Sequence, residues 1–311
     1  MCYSAQVVAD YEHFVREFGA LLDIHEFVKL FVEKRADGGW TKLPKALRDS
    51  VRKPQNAAGF ELAKIVAEGD RDLAAALETD LVAQQARLAK AKEVLAGPKP
   101  TKKATEDQRI AGNKIKAAQR NLDDLCRQTA EPKDSRIYPG SYAPVLIRHP
   151  ETGKRTVIPM RYQCRLAGKP AVYDRRYPGT YNARRDNLEG FWREQFGHTH
   201  GIMIVRRFYE NVDRDGSNVV LEFSPDPPQD MLVACLWSHW TGKGEPDLYS
   251  FAAITDEPPP EIAAAGHDRC IIPIKPEHVD AWLNPCDLAA CYAILDDRPR
   301  PYYAHKVDKA V

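Results

Sequence analysis

The chain has 311 residues, 43% hydrophobic and 29% charged, with 45 Lys and Arg against 44 Asp and Glu. Such values are globular, and the length admits two domains or one domain carrying an insertion. No apolar run approaches the roughly 20 residues of a membrane span and no basic-then-apolar signal opens the chain, so no membrane contact and a cytoplasmic location are expected.

In chain order, residues 8–34 carry Phe14, Phe18, Leu21, Leu22, Phe27, Val28 and Phe31 near a 3.6 period, which predicts an amphipathic helix. Residues 60–130 differ in composition from both flanks, being rich in Ala, Leu, Lys, Glu and Gln and nearly free of aromatics. Within them Leu77, Leu81, Leu88, Ala91 and Leu95 share a heptad frame that admits the polar Gln84. A second seam runs through Ala111, Ile115, Ala118, Leu122 and Leu125. Gly97-Pro98-Lys99-Pro100 interrupts any helix between the seams, so the segment reads as an antiparallel helical hairpin inserted between 1–59 and 131–311. It serves either as a self-packed insertion or as an arm for a protein partner or self-association.

Beyond residue 130 the pattern shifts to period two. Runs at 145–148 and 156–158 around Pro150-Glu151-Thr152-Gly153 predict a β-hairpin, and further strands are expected at 201–208, 219–223, 232–237, 250–255 and 269–274. Residues 275–283 read as a short helix with Pro276 in its first turn. The expected class is α+β: a mainly antiparallel, barrel-like β domain with flanking helices, interrupted by the hairpin.

The near-zero net charge conceals a local bias, since residues 148–215 hold 14 Lys and Arg against 8 Asp and Glu. An excess of this kind with interleaved aromatics suits a phosphate-binding face. Seven cysteines at positions 2, 126, 164, 235, 270, 286 and 291 form no paired framework and are expected to be reduced. His198-Thr199-His200 lacks a Cys or carboxylate partner at metal-ligand spacing, and no dinucleotide, Walker or Gly-x-Ser-x-Gly signature is present, so neither metal nor cofactor is expected.

Chemistry is suggested at five places. Cys2 follows the initiator Met, and removal of Met1 would give one residue both an amine titrating near ~7.7–8.0 and a thiol near ~8.5. Such an aminothiol captures an aldehyde as a Schiff base and then closes a thiazolidine ring. Tyr181-Asn182-Ala183-Arg184-Arg185 follows a Tyr-Pro-Gly turn, Phe208-Tyr209-Glu210 ends an apolar run with a carboxylate, Trp237 closes another, and Gly266-His267-Asp268-Arg269 opens a third from a loop.

Met-Cys, Asn-Ala-Arg, Phe-Tyr-Glu and His-Asp-Arg stand in the order found in the SOS-response-associated peptidase family, whose members shield abasic sites in single-stranded DNA. The sequence resembles that family loosely over residues 1–53 and well over 149–285, including Pro159-Met160-Arg161, and not over 60–130. The resemblance implies Cys2 as the nucleophile that crosslinks the abasic sugar, Asn182 as holder of the N-terminal residue and sugar, Glu210 as acid/base at the amine, and His267 as proton carrier on the sugar oxygen. It implies Arg184 as a phosphate contact, with Arg161, Arg185 and Arg269 on the same DNA-binding face and Trp237 as a stacking surface for a base. The sequence departs from the family pattern at Tyr3-Ser4, at Asn211 and at Cys270-Ile271, the last read as strand packing. Two other readings stay open: an N-terminal-nucleophile cysteine peptidase acting on itself or other proteins, and a non-catalytic nucleic-acid-binding adaptor that uses the hairpin. Lyase activity is a further expectation of the first reading.

Overall fold

The structure, a computed structural model, describes residues 3–52 and 57–308, so Cys2 lies outside the described residues. Strand β1 (Ser4–Val7) leads to helix α1 (Tyr11–Phe18), the two-residue β2 (Leu21–Leu22) and helix α2 (Ile24–Ala36). The single helix expected over 8–34 is therefore two. Gly19 ends α1 in the left-handed region at φ 58° with its N–H on the Val15 carbonyl, a conformation natural to glycine, and Asp23 caps α2 through the Glu26 N–H.

Helix α3 (Lys45–Ser50) precedes the long pair α4 (Ala57–Ala96) and α5 (Lys102–Cys126). At 1.5 Å per residue the 40 residues of α4 extend about 60 Å. The two seams meet as expected: Ala91, Ala104, Ala111 and Ala118 are buried, and Arg87 pairs across the hairpin with Asp107 at 2.6 Å. Gln84 is buried in the seam, its amide donating to Asp80 at 3.0 Å.

The base of α4 is not a detachable insertion. Leu62 and Val66 are fully buried in the same core as Phe27 and Phe31 of α2, so a boundary at residue 60 cuts through packed structure. Asp70 accepts the Trp40 indole N–H at 2.8 Å and pairs with Arg48 and Arg52. The hairpin leaves the body only beyond Asp72, which still pairs with Arg35 at 2.6 Å. Gly69 makes this seat possible, because a Cβ there would come within 2.3 Å of the Trp40 ring. The indole cannot swing aside while it is bonded to Asp70 and packed edge-on against Phe31 at 5.7 Å. Gly69→Ala gains about 1 kcal/mol of helix propensity. Overpacking outweighs that gain, and thermal melts should show Tm lowered by roughly 3–8 °C; an unchanged or raised Tm would show that Trp40 yields freely.

The β-rich part follows as β3 (Arg136–Ile137), β4 (Tyr142–Arg148), β5 (Arg155–Tyr162), α6 (Tyr173–Arg176), β6 (Asn182–Arg184), β7 (His200–Arg214), β8 (Ser217–Asp226), β9 (Met231–Gly242) and β10 (Glu245–Asp256). It closes with α7 (Pro260–Ala264), β11 (Cys270–Ile271), β12 (Pro273–Ile274), α8 (Val279–Leu283), α9 (Leu288–Asp296) and β13 (Tyr302–Val307). Pairing is mainly antiparallel, with parallel exceptions where β10 meets β5 and β6 and where β2 meets β5. The pairings run in a circuit, β4–β5–β10–β9–β7–β4, but the β10–β5 and β4–β7 links are two residue pairs long. The sheet therefore curls on itself without the full-length ladders of a regular barrel.

Alternation along the strands separates two cores. Val145, Met160, Met203, Val233 and Phe251 face one another inside the curl. Leu146, Ile202, Ala234 and Ala252 face outward under α2, α8 and α9, against Phe27, Trp282 and Leu295. Among the described residues no helix is long and apolar enough to cross a membrane.

Candidate active site at the N-terminal strand

Strand β1 inserts beside β7, with Ser4 opposite Tyr209 and Ala5 opposite Phe208. Its other edge pairs with β3. This register sets Tyr3 next to Glu210, and the Tyr3 N–H donates to Glu210 Oε2 at 3.3 Å. That nitrogen is the one acylated by Cys2. Arg136 braces the strand: its Nε donates to Ser4 Oγ at 3.1 Å, its guanidinium lies 3.6 Å from the centre of the Tyr209 ring, and it pairs with Asp308.

Glu210 is 0% exposed, and burial pushes its carboxyl well above the ordinary carboxylate range, against the opposing hydrogen bond from Tyr3. The same Oε2 lies 3.3 Å from His267 Nε2. Burial also lowers the imidazole's affinity for a proton, opposed by its bond to Arg269. His267 Nδ1 sits 2.9 Å from the Arg269 carbonyl and 3.3 Å from the Arg269 N–H. One nitrogen cannot serve both in one tautomer, and the shorter contact to a pure acceptor places the proton on Nδ1. Nε2 then carries the lone pair that faces Glu210 Oε2.

Three residues of the Asn182–Arg269 region lie together. Arg184 forms a fork on Asp186 (2.6 and 3.1 Å), and Arg269 reaches the same carboxylate at 3.7 Å, so two guanidiniums share one counter-charge. Arg269 belongs to the His267 loop, and it joins this basic pair to the carboxyl–imidazole pair. Asn182, on β6 alongside Ala253 of β10, is 6% exposed, and neither atom of its amide has a hydrogen-bond partner among the described residues. A buried amide of this kind is open to bonds from a ligand or a water.

The other expected contacts lie elsewhere. Trp237 is 5% exposed, its indole N–H donates to the His200 carbonyl at 3.1 Å, and it packs inside the curl, so it offers no face to a base. Arg161 is held on Asp174 at 2.9 Å, a carboxylate shared with Arg165. Arg185 turns away from Arg184, to Asp256 and Asp296, over the Tyr292 ring. Arg161 is thus tied to a half-buried carboxylate, and Arg185 to one half-buried and one exposed carboxylate. Cys270 packs in β11, and burial pushes its thiol far up, as befits strand packing. His200 is stacked on Trp282 with Nδ1 against the Trp282 carbonyl and Nε2 accepting from the Gly197 N–H.

Sequence reasoning missed two features. Tyr3, 41% exposed, packs edge-on against Tyr138 with ring centres 5.8 Å apart. Arg176 and Tyr177 stand on the turn before Asn182, with the guanidinium 5.6 Å from the Tyr177 ring centre. An Arg-Arg-Tyr run directly ahead of the Tyr-Pro-Gly turn was the available signal.

Fold and site together define an α+β protein with a buried carboxyl–imidazole pair set against its N-terminal strand and an arginine pair beside it. The chain belongs to the SOS response associated peptidase (SRAP) family, whose profile matches residues 104–311. Membership supports DNA binding related to abasic sites. Among solved structures, similarity extends to a Bordetella bronchiseptica structural-genomics protein (19% identity, TM-score 0.48, covering 56% of this chain and 87% of that one) and a Bacteroides thetaiotaomicron protein (13%, 0.47, 57% and 78%). A phage-related protein from Bordetella bronchiseptica is similar at 18% identity and TM-score 0.45, over 59% and 84% of the two chains. No curated protein matches the chain.

Proposed function

We propose that the protein binds abasic sites in single-stranded DNA and links itself to them through Cys2, exposed by removal of Met1. One observation carries this reading: Glu210, in contact with His267, accepts the N–H of Tyr3, the nitrogen acylated by Cys2.

In the ring-opened lesion the sugar presents an aldehyde. The Cys2 amine adds to its carbon, and the carbinolamine loses its hydroxyl as water to give a Schiff base. The Cys2 sulfur then adds to the imine carbon while the thiol proton passes to nitrogen. The net change is aldehyde plus aminothiol to thiazolidine plus one water. Glu210 delivers the proton that turns hydroxyl into water and recovers the one released as the thiol adds, with His267 Nε2 beside its carboxyl. A carboxyl whose pKa burial raises beside an imidazole whose pKa burial lowers suits that exchange. Asn182 takes the N-terminal residue and the sugar with its unpartnered amide, and Arg184 and Arg269 hold backbone phosphate.

The test is incubation of the purified protein with single-stranded DNA carrying one abasic site, followed by a denaturing gel. A heat-stable band at the combined mass, absent with intact DNA, is expected together with loss of Met1 by mass spectrometry. Turnover of peptide substrates without DNA and without any such band would replace this reading by the peptidase one.

A further inference from the structure

Arg136 is the point at which three stretches of the chain, far apart in sequence, meet. Its Nε donates to Ser4 Oγ on β1 at 3.1 Å, and its guanidinium lies 3.6 Å from the centre of the Tyr209 ring on β7. Ser4 stands opposite Tyr209, so one cation spans the first strand and the strand that carries Glu210. The Arg136 side chain is only 7% exposed, and a guanidinium so far from water needs a counter-charge. Asp308 supplies it, with a side chain 8% exposed. That carboxylate is brought in by β13, which runs antiparallel along β8 from Tyr302 opposite Asp226 to Val307 opposite Leu221. The Asp308 N–H prolongs the ladder by donating to the Val220 carbonyl at 2.8 Å. At Tyr209, β7 has β1 on one edge and β8 on the other, so a carboxylate at the end of β13 reaches the junction of β1 and β7 through Arg136.

Strand β1 is held by little else. It has four residues, its register on β7 shifts between Gln6 and Val7, and its other edge has two residue pairs with β3. A ladder so short fixes its end weakly, and a displacement of about 1 Å between reacting groups lowers a rate about a hundredfold. We propose that Asp308 is a positioning residue for the crosslinking step: by neutralising and orienting Arg136 it keeps β1 in place on β7 and so sets the Cys2 amine against Glu210. This rests on the crosslinking reading above, and the role involves no contact with DNA.

Single-turnover crosslinking to an abasic single strand, run over a series of DNA concentrations, separates rate from binding. Asp308→Ala should lower the maximal rate about ten- to a hundredfold. The half-saturating DNA concentration should stay within about twofold, because phosphate contacts lie on other residues. Asp308→Glu keeps the charge and should recover to within about threefold of the parent rate. A merely structural carboxylate would instead reduce the final yield of adduct by unfolding part of the protein, and leave the rate of the folded part unchanged. Asp308→Asn keeps the shape without the charge, so it should show the same loss of maximal rate, by at least about threefold, even where the Ala variant unfolds. Ser4→Ala removes the other end of the same contacts, and added to Asp308→Ala it should lower the rate by less than about a further threefold, because two groups that act through one guanidinium are not independent. Hydrogen exchange of the segment Ser4–Val7 should quicken in Asp308→Ala, with β9 and β10 unchanged. Parent-like maximal rates in both Asp308→Ala and Asp308→Asn, or losses that multiply with Ser4→Ala, would overturn the positioning role and leave the crosslink standing. A parent protein that forms no adduct, while exchange at Ser4–Val7 still quickens in the variant, refutes the crosslink and with it the positioning role, and leaves Asp308 an anchor of the strand alone.

Discussion

Replacing Cys2 by Ala should remove the heat-stable adduct entirely while leaving a bond that borohydride can trap. The α-amine survives the substitution and still condenses with the aldehyde, but no sulfur remains to close the ring, and a Schiff base hydrolyses on heating. Cys2→Ser should resemble Cys2→Ala, because a hydroxyl is a much weaker nucleophile than a thiol and its ring is less stable. Affinity for single-stranded DNA should stay within about twofold, since on the proposed reading it is supplied by phosphate contacts of Arg184 and Arg269 and not by Cys2. The comparison needs a denaturing gel with and without borohydride and an anisotropy titration. Normal heat-stable adduct from both variants would remove Cys2 from the chemistry.

Glu210→Gln should move activity and stability in opposite directions. Both contacts fall on the single atom Oε2, so the Gln amide keeps either its oxygen on the Tyr3 N–H or its N–H on His267 Nε2, at nearly unchanged side-chain volume. Proton transfer is lost, and the crosslinking rate should fall about 10²–10⁴-fold with little change in DNA affinity. Stability follows from the raised carboxyl. Its folded pKa lies well above the ordinary 4.5, so its contribution is complete below that pH and is lost as pH rises towards the folded value. Gln carries no such penalty. Relative to the parent, the variant should gain stability as pH rises above 4.5, because the parent loses the contribution of its raised carboxyl and Gln does not titrate. Melting curves above that pH check the sign, and a difference that moves in the parent's favour as pH rises would show that the carboxyl is not raised in the folded state.

Local features were legible in the sequence. The helical hairpin was written in heptads at Leu77–Leu95 and Ala111–Leu125, and the β4–β5 hairpin in alternation around a Pro-and-Gly turn. The break at Gly19 was hidden because apolar spacing continues across it from Phe18 to Leu21, and only the backbone conformation separates α1 from α2. Leu62 and Val66, four residues apart, precede the heptad frame and point into the main core, which is where the boundary at residue 60 failed.

In the candidate site, the motifs around Asn182, Glu210 and His267 were visible as residue types in order, but their convergence was not, because it depends on strands paired across some 200 positions. Trp237 shares its parity with Val233 and Cys235, and that period-two signal placed it inward from the start. Arg161 and Arg185 could not be told from Arg184 by sequence, because what distinguishes them is a carboxylate brought near by tertiary packing, Asp174 for one and Asp256 for the other.

The register of Ser4 on Tyr209 also orders events at the ribosome. The first strand of the chain is made about 200 residues before the strand that holds it, and at roughly 5–20 residues per second that interval lasts some 10–40 s. Until then β1 has at most its two-residue pairing with β3, and a processing aminopeptidase can engage the leading segment. Only when residues 208–210 emerge and His267 follows does the sheet draw that segment in. On the proposed reading, exposure of Cys2 would therefore precede assembly of the Glu210–His267 pair, and the growing chain would carry no complete site until nearly all of it has been translated.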